Sequence, residues 1–206
     1  MTSTRTALEA DWLGACRRAV TGLQQMLAAA GSVDERATET GTRGSGGDRT
    51  LVLDSSAEEI IVAELQTIHR QGYRFSALSE ERGEIDFGDA SVRVIIDPID
   101  GSTNAKRDAL HYALSVAVAD GKTMADVAFG FVHDFGCAEE WWAARDQGAW
   151  LNGRRLDPSR GERRARDGKL ELVGIESADP TWVQDSITGL ADDQLSGGGV
   201  NPPAPA

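Results

Sequence analysis

The segment 93–106, RVIIDPIDGSTNAK, constrains the fold more than any other part of the sequence. An apolar run typical of a buried strand leads directly into two aspartates, Asp97 and Asp100, which small polar residues follow. Pro98 between them fixes its own φ and disfavours a helical conformation at Asp97, so the chain has to turn. We therefore expect Asp97, the Ile99 carbonyl and Asp100 to converge at the edge of a sheet.

The residue types in this segment indicate a metal site followed by a phosphate site. Three hard oxygen donors at one point suit Mg²⁺ or Ca²⁺ better than zinc. Gly101 lets the backbone approach a ligand closely. Ser102, Thr103 and Asn104 are residue types that begin helices, and the N–H groups at a helix start bind phosphate. The alternative is a simple Asp-Pro turn in which an aspartate caps a helix.

Two further acidic sites lie beside predicted elements of secondary structure. Glu80 and Glu81 come after the predicted strand 73–78, and Asp54 precedes a predicted helix. Each is compatible with a solvated loop or a helix cap when taken alone. Together with the aspartates of the first segment they could meet at one edge of the fold, which is the arrangement a multi-metal phosphatase requires.

Hydrophobic periodicity predicts a mixed α and β chain. Apolar residues at helical spacing predict a helix over 6–29, and Ser55 and Ser56 begin capping boxes of a second helix. Residues 31–49 are expected to form a loop and 50–54 a short strand or turn. Short apolar runs predict strands at 73–78, 92–96, 113–119, 125–132, 137–144 and 170–175. The three from 113 to 144 should form an antiparallel meander. Residues 154–169 should form a loop, and a short helix should follow Asp179-Pro180.

Composition restricts the class of protein. The chain has 206 residues, 40% of them hydrophobic, and a formal net charge of −12, which argues against general nucleic-acid binding. Cys16 and Cys137 are too few for a disulfide framework and are expected to be small buried residues. We see no signal peptide and no apolar run long enough to cross a membrane, so we expect a cytoplasmic protein with no membrane partner.

Four motifs in order resemble the inositol monophosphatase family. DPIDGSTN matches its D-P-[I/L]-D-G-[T/S]-x-N motif, LDSSAEE its first acidic block through Asp54 and Glu58, and LSEERG its G-E-E block through Glu80. EEWWAARDQGAWLNGRRL matches a strand and turn segment of the family. The resemblance covers roughly residues 8–192. It implies an α+β fold, a layered sandwich of helices and sheets.

The resemblance also implies roles for single residues. Mg²⁺ would be held by four carboxylates and one carbonyl: Asp54, Glu80, Asp97, Asp100 and the Ile99 carbonyl. Glu80, Ser102 and Asp54 would be catalytic, with Glu80 and the Ser102 hydroxyl positioning the attacking water. Gly101, Ser102 and Thr103 would hold the substrate phosphate. The reaction would be hydrolysis of a small phosphorylated metabolite, and because members of the family are commonly dimers, a homodimer is implied.

The sequence also departs from the family pattern. Leu51, Ser79 and Ala105 stand where many members have threonine, glycine and an aromatic residue. The family's later W-D-x-A-A-G block, whose aspartate binds metal, has no counterpart here. We therefore expect an N-terminal α+β metal-binding part over 1–153, an incomplete C-terminal α/β part over 154–192 and a tail over 193–206.

Several functions remain open at this point. The first is a Mg²⁺-dependent phosphomonoesterase, an inositol-phosphate phosphatase-like hydrolase acting on inositol 1-phosphate. Fructose 1,6-bisphosphate, histidinol phosphate and 3′-phosphoadenosine 5′-phosphate are alternative substrates. An alternative of another class is an inactive remnant that retains some metal binding.

Overall fold

The fold is known from a computed structural model of the chain. The residues it describes are 6–31, 39–43, 49–107, 109–160, 169 and 181–184. The chain divides into two compact units, Met1–Leu156 and Asp157–Ala206. The first unit contains nearly all of the described residues and every candidate site residue.

Two long helices lie in the first unit, α1 (Trp12–Ala29) and α2 (Val52–Arg70). The first starts later than the sequence predicted, because Ala7–Glu9 forms a separate 3-10 turn. Asp11 then caps α1 by accepting a hydrogen bond from the Gly14 N–H at 2.9 Å. Neither helix is long and apolar enough to cross a membrane, and the same is true of every other helix among the described residues.

The described residues contain ten strands, which form two sheets. In chain order they are β1 (Glu39–Arg43), β2 (Arg49–Leu51), β3 (Ser76–Ser79), β4 (Gly83–Asp86), β5 (Arg93–Asp100), β6 (Ala113–Ala119), β7 (Val127–Asp134), β8 (Glu139–Ala144), β9 (Gly148–Leu151) and β10 (Arg154–Arg155). Strands β1 and β2 pair with each other, and the remaining eight follow the order β10-β9-β8-β7-β6-β5-β3-β4. All neighbours in the large sheet are antiparallel except β3 and β5, which are parallel.

One face of the large sheet forms the core with α1 and α2. Side chains alternate along the strands, so Val94 and Ile96 of β5 are buried while Ile95 between them is 40% exposed. The largest fully buried side chains come from both helices, from the sheet and from the segment before β3: Leu23, Ile68, Phe75, Val94, Leu114, Val118 and Phe131. Burial of each such side chain stabilises the fold by roughly 1.5–3 kcal/mol. The mixed α and β architecture predicted from periodicity is confirmed.

The opposite face of the large sheet is also apolar. Leu78, Ile95, Val132 and Trp141 are exposed there and line a groove of about 690 Å³. Their positions follow from the two-residue period of the strands, because Leu78, Ile95 and Val132 each neighbour a core residue in sequence and Trp141 neighbours Trp142, which packs partly against the core. The sheet is therefore apolar on both faces, although the helices of the described residues cover only one of them, and this is unusual for an antiparallel sheet.

Several boundaries predicted from the sequence are wrong. Part of the predicted loop 31–49 forms β1 and the start of β2, whose sequences ETGTR and RTL lack the alternating apolar pattern that marks a strand. The helix α2 begins at Val52, so Ser55 and Ser56 lie inside it and do not cap it. Strand β4 was not predicted, and the first two residues of the predicted loop 154–169 form β10, which pairs with β9.

Other sequence predictions agree with the structure or lie outside the described residues. The meander of β6, β7 and β8 is present as predicted. Cys16 is buried, whereas Cys137 is exposed, because it lies in the turn between β7 and β8. Residues 181–184 are helical, as predicted after Asp179-Pro180. The predicted strand 170–175 and the tail 193–206 lie outside the described residues.

Candidate metal centre

The DPID segment forms the last part of β5, where its pairing with β6 is irregular. Asp97 lies opposite Ser115 and Asp100 lies opposite Ala113, so two residues of β5 face one residue of β6 between these pairs. A bulge of this kind accommodates Pro98, which has no N–H group to give to the sheet. The strand therefore continues to Asp100 and does not end at residue 96 as predicted. Both aspartates lie at its carboxyl end.

The Asp97 carboxylate is oriented by its own backbone. The Ile99 N–H donates a hydrogen bond to Asp97 Oδ1 at 3.2 Å. The Ile99 side chain is buried, which anchors the bulge in the core. Asp97 is half-buried and Asp100 is exposed, so the pair lies where the core meets solvent.

Gly101 turns the chain from β5 into a short helix, α3 (Ser102–Ala105). It has a φ of 81°, and a Cβ atom at this position would lie 2.6 Å from the His111 carbonyl oxygen. Only glycine fits without a shift of the backbone. The Asn104 side chain donates to the same carbonyl at 2.9 Å, which holds the loop against the segment before β6. The first N–H groups of α3 therefore follow directly on Asp100.

Parallel pairing brings Glu80 to the aspartates. Ser79 at the end of β3 lies opposite Ile96 of β5, so the next residues of the two strands, Glu80 and Asp97, leave the same edge of the sheet. The pKa of Asp97 rises from 3.8 to about 7 because the side chain is partly buried and the carboxylates of Glu80 and Asp100 repel its charge. A hydrogen bond between the Asp97 and Glu80 side chains raises it further. The structure thus brings these three predicted metal ligands together.

Asp54 lies on the helix that contacts the turn carrying Glu80. The sequence placed it before α2, but it lies in the first turn of α2 and is only 8% exposed. Glu58, one turn later, accepts hydrogen bonds from the backbone N–H and from Nε of Arg82, both at 3.1 Å. Since Arg82 lies in the turn between β3 and β4, two residues after Glu80, this ion pair joins the start of α2 to the turn that carries Glu80.

These residues fit a hard divalent cation in donor type and in charge. All the side chains are carboxylates, which suit Mg²⁺. Their mutual repulsion, visible in the raised pKa of Asp97, is what a bound cation would relieve. Among the described residues, however, no three acidic, histidine or cysteine side chains are already arranged around one point as ligands. A cation would therefore have to draw the carboxylates together.

The proposed phosphate-binding residues lie next to the acids in the chain. Ser102 and Thr103 form the first turn of α3, where N–H groups have no partner within the helix. The bonds back to the Gly101 carbonyl begin only at Asn104 and Ala105. The roles of Gly101, Ser102 and Thr103 in phosphate binding, and of the Ile99 carbonyl as a ligand, remain predictions.

Sequence reasoning missed two supporting groups. Arg82 was not singled out, although it follows the acidic pair Glu80-Glu81 directly and could have been read as a partner of the Asp54-x-x-x-Glu58 block. His111 belongs to none of the sequence motifs, yet its carbonyl accepts a hydrogen bond from Asn104 and lies against Gly101. No local pattern signals this contact, because it depends on a φ of 68° at His111 itself.

Solved structures with a similar architecture identify the class of fold. The chain superimposes on the extragenic suppressor protein suhB from Bartonella henselae with a TM-score of 0.59 and 26% identity, covering 75% of this chain and 56% of that one. It also resembles the MJ0109 gene product, an inositol monophosphatase–fructose 1,6-bisphosphatase, with a TM-score of 0.65 and 22% identity, over 91% and 68% of the two chains. The second likeness concerns the fold alone.

Sequence comparison identifies the family. Residues 10–188 match the profile of the inositol monophosphatase family, and the chain belongs to that family. It is 34% identical over 140 residues to the Nus factor SuhB of Escherichia coli K12, covering 68% of this chain and 49% of that protein. It is 30% identical over 145 residues to a fructose-1,6-bisphosphatase/inositol-1-monophosphatase of Archaeoglobus fulgidus, covering 70% and 54%. The chain spans about half the length of the curated relatives it matches.

Proposed function

We propose that this chain carries the metal-binding half of a Mg²⁺-dependent phosphomonoesterase that acts on a small sugar or cyclitol phosphate, with inositol 1-phosphate as the first candidate. The observation that supports it best is the crowding of Asp97 by Glu80 and Asp100 beside the Gly101 loop. Repelling carboxylates cost stability, so a protein retains them where they bind a cation. Relatives named as inositol and fructose bisphosphate phosphatases support the substrate class.

Each residue would have a distinct part in the reaction. Glu80, Asp97, Asp100, Asp54 and the Ile99 carbonyl would hold Mg²⁺. Bound there, the ion supplies Lewis acidity toward the phosphate and lowers the pKa of a coordinated water. Glu80 and the Ser102 hydroxyl would accept hydrogen bonds from the attacking water and orient it for in-line attack. The N–H groups of Gly101, Ser102 and Thr103 would hold the phosphate oxygens.

The charge of the chain disfavours substrate binding in the absence of a cation. With a net charge of −12, the protein repels a phosphate dianion at long range. The carboxylates at the ends of β3 and β5 add to that repulsion locally. A bound cation would reverse the field there, so metal should strengthen binding of the substrate.

A phosphate-release assay tests the proposal. The chain is incubated with Mg²⁺ and inositol 1-phosphate, fructose 1,6-bisphosphate, histidinol phosphate or 3′-phosphoadenosine 5′-phosphate. Asp97→Asn should lower turnover by about 10² or more, since it removes a charge that acts on the reacting groups. Asp86→Asn is the matched control, because Asp86 is an exposed carboxylate at the other end of the β3–β4 hairpin. Turnover retained in Asp97→Asn would refute the assignment.

A second candidate is a non-catalytic role. The chain spans about half of its relatives, and one of them is named a Nus factor. A version of the chain extended by the C-terminal half of the Escherichia coli relative separates the two candidates. Phosphate release by the chain alone, or only by the extended version, supports the enzyme, whereas release by neither supports the non-catalytic role. The homodimer and the cytoplasmic location remain predictions.

A further inference from the structure

We infer that Glu58 and Arg82 position Glu80 for metal binding, and that this pair, called here the Glu58–Arg82 clamp, sets the affinity of the candidate metal centre. The inference rests on the proposed function. Neither residue would touch the metal or the substrate. They would act through the β3–β4 turn, which carries Glu80.

The contacts show why Glu58 is a support and not a ligand. It lies one helical turn after Asp54, on the same side of α2, so the sequence alone would allow it to bind metal as well. In the structure both of its carboxylate oxygens are engaged by Arg82: Oε1 accepts from the backbone N–H and Oε2 from Nε. A carboxylate used in this way has its charge compensated by Arg82.

Burial makes the clamp more than a surface ion pair. The Glu58 side chain is 3% exposed, whereas the Arg82 side chain is 43% exposed. A buried carboxylate without partners is strongly destabilising, so the position of the Arg82 backbone is restricted to places where it can donate to Glu58. Ion pairs on the surface, by contrast, contribute little to stability and restrain the backbone little.

The clamp restrains the site because of where its two ends lie. Glu80, Glu81 and Arg82 form the turn between Ser79 of β3 and Gly83 of β4, which are paired with each other. The hydrogen bond that the Arg82 backbone N–H donates to Glu58 Oε1 therefore fixes the last residue of that turn. The other end of the clamp, Glu58, lies on α2 one helical turn from Asp54. Residues that orient ligands in this way commonly change metal affinity by about 10–100-fold when they are altered.

Binding of Mn²⁺ to the full chain, followed by electron paramagnetic resonance, tests the clamp. Mn²⁺ has the same preference for carboxylates as Mg²⁺. Glu58→Gln keeps the shape of the side chain but replaces one acceptor with a donor that faces Arg82 Nε. We expect its Mn²⁺ dissociation constant to rise about tenfold. Arg82→Gln should also weaken binding, by a smaller factor, because the backbone hydrogen bond to Glu58 persists.

The direction in which Arg82→Gln changes the Mn²⁺ affinity separates positioning from a simple field effect. A field effect predicts weaker binding in Glu58→Gln, which loses a negative charge, and tighter binding in Arg82→Gln, which loses a positive one. Positioning predicts weaker binding in both. Arg82→Gln keeps the backbone N–H that donates to Glu58 Oε1 and brings a side-chain amide donor, so it should fold even if Glu58→Gln does not.

Two controls complete the experiment. Glu59→Gln removes an exposed charge that forms only a long contact with the clamp, 3.9 Å between its Oε1 and Arg82 Nη2. Glu64→Gln breaks the ion pair of Glu64 with Arg18, 2.9 Å between Nε and Oε2, elsewhere on α2. Both should bind Mn²⁺ as the unaltered chain does. Tighter or unchanged binding in Arg82→Gln, or a loss in Glu58→Gln no larger than in Glu64→Gln, overturns the clamp alone. No binding by the unaltered chain overturns the proposed function together with it.

Discussion

Replacing Asp97 with asparagine should stabilise the metal-free chain at pH 8 while it removes metal binding. The side chain keeps its shape, and its Oδ1 can still accept the hydrogen bond from the Ile99 N–H. What disappears is a carboxylate that is partly buried and repelled by Glu80 and Asp100. The gain in stability is thus a direct measure of how unfavourable this charge is in the folded chain.

The size of the effect follows from the pKa of Asp97. A rise from 3.8 to about 7 corresponds to about 4 kcal/mol of unfavourable free energy once the group is ionised in both states. Water reaches part of the side chain and screens the repulsion, so we expect about 2 kcal/mol. The unfolded state loses its proton first, so the unaltered chain should lose stability as the pH rises from 3.8 to about 7. Asp97→Asn should lack this loss.

Urea unfolding in EDTA at pH 5 and pH 8 measures this difference in the free energy of unfolding. With a typical urea dependence of about 2 kcal/mol per molar, Asp97→Asn should unfold about 1 M later than the unaltered chain at pH 8. Excess Mg²⁺ should reverse the order, because binding at 100 times the dissociation constant adds about 2.7 kcal/mol to the unaltered chain only. Asp86→Asn should show neither effect. A less stable Asp97→Asn in EDTA at pH 8 would show that the carboxylates do not repel one another, and the basis of the proposed metal site would be lost.

Two further predictions concern the loop and the core. Gly101→Ala should lower the free energy of unfolding by about 2 kcal/mol or more, because a Cβ would clash with the His111 carbonyl. Gly72 also has a positive φ, but no atom of the described residues lies within 4 Å of the position of an added Cβ, so Gly72→Ala should cost only about 1 kcal/mol. Equal costs of the two substitutions in thermal unfolding would contradict the clash. His133 is buried, and neither of its ring nitrogens has a hydrogen-bond partner among the described residues. Burial lowers the pKa of His133 below 6.5, although the negative charges of Glu140 and Asp134 act in the opposite direction. The unfolded state then takes up a proton first as the pH falls, so the melting temperature should decrease when the pH is lowered below 6.5. His133→Gln should reduce this decrease. If the melting temperature of His133→Gln depends on pH as that of the unaltered chain does, other groups cause the decrease.

The local parts of the fold could be predicted from the sequence because local rules govern them. Apolar residues at helical spacing predicted α1 and α2, and alternation with turn residues predicted β6, β7 and β8. The order of residues in 97–104 predicted a turn after a strand, since Pro98 fixes its own φ and Gly101 permits the positive φ that the turn adopts. Boundaries failed where an element has no hydrophobic signal of its own, as in β1, or where pairing extends a strand past a proline, as in β5.

The sequence by itself determined which residues could serve a metal and a phosphate, because donor chemistry and backbone restrictions are properties of single residues and short segments. Only the tertiary structure decided which of them meet. Glu80 lies beside Asp97 because β3 pairs in parallel with β5 while β4 lies at the outer edge of the sheet. Glu58 supports the site because Arg82, 24 residues away, engages both of its oxygens. Such contacts depend on the packing of the whole chain, which no short segment specifies.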